Sequence, residues 1–180
     1  MEDVNNMVDF LNFFGHQITR TKPLKNKLLA NIKNAKLKVF FENNWWFVSY
    51  IFGMNIGKSL FETRSRDKHC LLINDTQESF LTSDNPILNI HQSLKNDDLR
   101  ETQEGQEDYF FPISPTVAYM INSSNRFKKG INFVSLSFVK EVNEKMAIYA
   151  DEFIISTEEE IINNYKKKVG KRLQIIRNAN

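Results

Sequence analysis

FLTSDNP, residues 80–86, passes from an aromatic and aliphatic start into Ser83, Asp84, Asn85 and Pro86. An apolar run that stops on three short polar side chains and a proline reads as a strand ending at a sheet edge. Asx-type turns take up the freed backbone groups there, and proline forbids continuation. Sheet structure therefore enters the chain at this corner. Just before it, CLLIN (70–74), the turn-rich DTQES and FLT (80–82) read as two short strands around a turn, a β-hairpin. After it, the polar, acidic segment 93–108 reads as a surface loop. Strands resume with YFFPI (109–113) and TVAYMIN (116–122).

Upstream of the corner the period changes. Val4, Met7, Val8, Leu11, Phe14 and Ile18 recur at three- and four-residue spacing, which predicts an amphipathic helix ended by Pro23. A second helix is expected from about Leu24, with Leu28, Leu29, Ile32 and Val39 inward and its lysines on a solvated face. A third, aromatic stretch runs from about Asn44 to Phe61. Its core, WWFVSYIFGMNIG (45–57), is well short of the roughly 18–20 apolar residues that span a bilayer, so it is expected to be a buried helix, with an exposed partner-binding patch as the alternative. Downstream, the basic turn NRFKKG precedes a helix expected over 133–149. DEFIIS supplies a last strand, and Ser156 or Thr157 with Glu159 or Glu160 forms a capping box for a terminal helix. The fold class is α+β: N-terminal helices packed on a small antiparallel sheet, with further helices near the C-terminus, in a single domain over residues 1–180.

Composition narrows the function classes. The 24 basic and 22 acidic residues of the 180 nearly cancel, so the net charge of +2 gives no global field of the kind that marks a dedicated nucleic-acid binder. Nucleic-acid contact is left to the basic tail from Lys166 to Arg177. The lone cysteine, Cys70, can form no internal disulfide and reads as a small half-buried hydrophobe in a reducing compartment. Acidic residues stand where a signal peptide would be positive, so the expected location is cytoplasmic, with no membrane partner.

Several motifs fail. GMNIGKS (53–59) resembles a phosphate-binding loop but has three residues between its glycines where four are needed, and no strand precedes it. His16, His69 and His91 have no metal-ligand spacing, so neither a metal nor a cofactor is expected.

Four motifs in order resemble the bacterial domain-of-unknown-function 4238 family. They are Phe80 to Pro86; Phe111-Pro112-Ile113-Ser114-Pro115; Gln17-Ile18-Thr19-Arg20-Thr21; and Val142-Asn143 through Ala150-Asp151-Glu152-Phe153-Ile154. The resemblance implies a further upstream segment with a His-x-x-Pro-x-x-Tyr-Leu type motif. The chain is thus expected to correspond to the family's C-terminal part. Cys70 stands where the resemblance places a tryptophan, a packing substitution. The resemblance supplies places rather than a reaction.

Those places define the candidate site. Gln17, Arg20 and Thr21, spaced three and four apart, are expected to share one helix face and to project a guanidinium towards the Asp84 turn, bridged by Asn143 or Ser114. As structure, this is a buried ion pair fixing helix on sheet. As function, it is an anion or phosphate pocket. Arg20 would bind charge, Asp84 would act as base or metal ligand, and Ser83, Asn85 and Asn143 would orient substrate. Two functions follow. One is a binding or regulatory module, or half of a split system, set in phage or mobile-element conflict, with a protein partner or self-association. The other is a nucleic-acid or phosphoester-directed hydrolase around Asp84 and Arg20.

Overall fold

The computed structural model describes residues 3–94 and 105–171. The expected acidic loop (93–108) falls mostly outside them. The chain forms two compact units, residues 1–65 and 66–180.

The first unit is helical. Helix α1, Val4–Thr19, starts at Asp3, whose carboxylate accepts the Asn6 N–H, and buries Leu11, Phe14 and Gly15. It stops at Thr19, three residues before Lys22. Pro23 lies in the first turn of α2, Lys22–Asn31, where its missing N–H costs nothing, so it starts a helix rather than ending one. The expected long second helix is two helices. Asn34 breaks it by accepting the Leu37 N–H at 3.1 Å and opening α3, Ala35–Asn43. Helix α4, Trp45–Thr63, matches the aromatic stretch.

Helices α1 and α4 meet through glycine. A Cβ on Gly15 would collide with the backbone of Gly53 and Gly57, and one on Gly57 would meet Asn12. Gly53 lies under the His16 ring, which stacks on Tyr50 with 4.9 Å between centroids. The phosphate-loop look-alike is thus the middle of a helix whose two glycines admit a neighbouring backbone.

The second unit is built on a five-stranded sheet: β1 Lys68–Ile73, β3 Leu88–Asn89, β4 Asp108–Pro112, β5 Val117–Asn122 and β6 Gly130–Phe133, in the order β3-β4-β5-β1-β6. All pairs are antiparallel except β1 with β6, so the sheet is mixed at one edge. The expected hairpin between CLLIN and FLT does not form. Strand β1 pairs with β5, Cys70 opposite Met120, while β2, Thr82–Ser83, pairs with β7, Ile154–Ile155, in a separate ribbon. Asn74 redirects the chain: its Oδ1 accepts the Thr76 N–H and its Nδ2 donates to the Glu78 carbonyl. Helix α5, Leu136–Tyr149, is capped by Ser135, and β6 occupies the start of the expected helix. It lays Phe138, Val139, Val142 and Met146 on the sheet face that carries Leu72, Phe110 and Met120. Helix α6, Glu159–Tyr165, has no side-chain cap, because Ser156 Oγ accepts the Glu158 N–H in a local turn instead of forming the expected capping box. The class is α+β, helices first.

Candidate functional site

The Ser83–Pro86 corner is a hydrogen-bonded clasp on the end of α5. Asp84 Oδ1 accepts the Asp151 N–H at 2.9 Å and Oδ2 the Glu152 N–H at 2.7 Å, while its own N–H reaches the Phe153 carbonyl at 3.4 Å. Ser83 Oγ accepts the Asn85 N–H at 3.1 Å, and Asn85 Nδ2 donates to the Tyr149 carbonyl at 3.4 Å. Pro86 is buried and ends the strand. A half-buried carboxylate with a backbone N–H on each oxygen is bound in the way a structural anchor is.

Asn143 works the other side of the same segment. From its buried place on α5, Oδ1 accepts the Leu81 N–H at 2.8 Å, and Nδ2 donates to Glu78 Oε1 and the Ser79 carbonyl, both at 2.9 Å. Glu78 Oε1 also accepts the Tyr165 hydroxyl at 2.7 Å. Burial, and then the Glu78 carboxylate, push that hydroxyl's pKa well above the usual tyrosine value. Glu78 and Tyr165 belong to this network, and sequence reading missed both. The DTQES turn looked merely polar, and Tyr165 is the last residue of the helix α6 that brings it there.

The remaining predicted residues are placed as follows. Ser114 Oγ accepts the N–H groups of Thr116 and Val117 at 3.2 and 3.0 Å and closes the β4–β5 turn, so it does not bridge to Asp84. Asn143 spends its amide on residues 78–81. Gln17 is buried on α1, Arg20 is the exposed residue that ends it, and Thr21 begins α2 with its hydroxyl on the Ile18 carbonyl at 3.0 Å. The shared helix face therefore breaks after Thr19. Arg20 belongs to the first unit and Asp84 to the second.

Cys70 is 2% exposed, and burial pushes its thiol up to about 11, with the Asp108 carboxylate adding to the shift. It is a core residue and no nucleophile. Among the described residues, no group of three His, Cys, Asp or Glu is placed to hold a metal ion, and no helix is long and apolar enough to cross a membrane. Lys166–Lys168 form a short 3-10 turn with Lys168 on Glu144 at 2.7 Å. The end of the basic tail lies outside the described residues.

Residues 12–160 match the family model described as "Protein of unknown function (DUF4238)". The chain belongs to the DUF4238 family. Motifs far apart in the sequence meet in the fold. In this DUF4238 chain the Ser-Asp-Asn-Pro corner and the Ala150–Phe153 segment are two halves of one clasp, and Asn143 fastens the strand that leads into it. Comparison with curated proteins and with solved structures finds no match.

A second feature of the first unit is the outer face of α3 and α4. Helix α4 buries Val48, Ser49, Gly53, Gly57 and Leu60 and exposes Trp46 (74%), Phe47, Tyr50 (55%), Ile51 and Met54. The expectation of a buried helix holds for one side only. Helix α3 buries none of its residues and exposes Leu37, Val39 and Phe40 (53%). The glycines at 53 and 57 carried the signal: a helix that meets its neighbour through glycine turns its large side chains elsewhere.

Proposed function

We propose that this DUF4238 chain is a binding or regulatory module, one member of a two-chain assembly, that docks a protein partner through the outer face of α3 and α4. The observation that carries this reading is the exposed row of Trp46, Phe47, Tyr50, Ile51 and Met54 beside a helix that buries nothing. Large contiguous apolar patches, and Trp and Tyr above all, mark interaction surfaces, where they supply much area for few rotatable bonds. The same feature explains why α3 is helical. A nine-residue helix is marginal in water and is held by packing, which a docked partner would supply. What supports docking over hydrolysis is that each Asp84 oxygen already accepts a backbone N–H, from residues 151 and 152. The test is recovery of a stoichiometric second chain with the tagged protein, and its loss with Trp46→Asp at unchanged far-UV circular dichroism. A strictly monomeric protein that keeps no partner, with the variant behaving alike, overturns the proposal.

A further inference from the structure

The outer helical face carries mostly positive charge. Between residues 22 and 54 the chain has six lysines and a single acidic residue, Glu42. Lys33, Lys36 and Lys38 are exposed at the start of α3 and along it, interleaved with the exposed Leu37, Val39 and Phe40. The face is therefore an apolar patch with a basic rim.

Resting on the docking reading above, we propose that the occupant is a different, acidic protein segment: an amphipathic surface with apolar anchors seated on Phe40, Trp46 and Tyr50 and carboxylates opposite Lys33, Lys36 and Lys38. Charge selects among occupants. A second copy docked about a twofold axis presents the same patch to itself, so an isologous contact brings the same lysines in from both sides, with Glu42 as the one nearby acid. A carboxylate-rimmed partner turns that repulsion into attraction and is steered to the face before contact.

Trp45 and Trp46 are the chain's two tryptophans, so intrinsic fluorescence reads this face directly. The probe is a synthetic amphipathic helix of about 18 residues, five turns, with leucine and phenylalanine on one face and glutamate on the other. A twin carries lysine in place of glutamate. The glutamate peptide shifts the emission to the blue, and added salt weakens the effect. The lysine twin binds about tenfold more weakly, and the double variant Lys36→Glu, Lys38→Glu reverses the order. Equal response to both peptides overturns the acidic partner and leaves the docking face standing. A shift with protein concentration alone assigns the face to a second copy. A shift with phosphatidylcholine–phosphatidylglycerol vesicles but not with the glutamate peptide assigns it to lipid. Either of these overturns the inference, and silence to every probe removes the docking reading with it.

Discussion

Asp84 shows how much one carboxylate can organise. Its two oxygens hold consecutive backbone N–H groups, so Asp84→Asn keeps the shape but turns an amide donor towards one of them. Hydrogen bonds to charged groups contribute about 1.5–3 kcal/mol; urea unfolding of the variant is expected to show a loss of about 2 kcal/mol. Glu141 gives a prediction in pH. Burial works against its charged form, but Arg126, which bonds it through two nitrogens, and Lys145 outweigh this and hold its carboxyl below the ordinary glutamate value. A lowered native pKa stabilises the fold above the unfolded value. That contribution is lost as pH falls through the native one. Unfolding free energies measured from pH 7 into acid are expected to fall less steeply for Glu141→Gln. The corner itself was legible, since Ser-Asp-Asn-Pro has few conformations open to it. Its partners were not, because Asp84 grips main-chain N–H groups, which leave no trace in residue type. The expected Arg20–Asp84 pair rested on a helix face shared by Gln17, Arg20 and Thr21, and α1 ends at Thr19, before that face is complete.

At the scale of elements, helix α1 against α4 depends on the absence of side chains. Gly15→Ala raises helix propensity by about 1 kcal/mol, yet its Cβ meets backbone atoms of Gly53 and Gly57 that cannot swing aside. Overpacking costs about 1–3 kcal/mol, so the net change is expected to be destabilising, read as a lower thermal midpoint. Helices were legible where the apolar period was long, as in Val4–Thr19 and Trp45–Thr63. The short elements were not. GINF is a four-residue strand whose place beside β1 is fixed by β1's own pairing with β5, and the two-residue β2 is a strand only because β7 arrives alongside it. Tertiary context makes such elements, and local composition does not reveal it.

Over the described residues, the balance of exposed and covered apolar surface is uneven. Sequence reading found the α+β class and the order of helices before sheet, but set a buried aromatic helix ahead of an exposed patch, since aromatic content alone does not say which side faces out. The exposed face makes a direct prediction: a dye that brightens on apolar surface, such as the anionic anilinonaphthalene sulfonate, binds the native protein, and replacing Trp46 and Tyr50 by serine lowers that fluorescence while circular dichroism holds. The clasp has a different consequence, one in time. Asp84 and its partners lie 67 and 68 residues apart along the chain, with most of the five-stranded sheet and all of α5 between them. Closing so long a loop costs entropy that only earlier strand pairing offsets. The corner is therefore expected to close late on the way to the native state, as is the still longer Glu78–Tyr165 contact. Asp84→Asn is then expected to quicken unfolding more than it slows refolding, so that the native lifetime shortens while the speed of its making changes little, which stopped-flow rates across urea concentrations check.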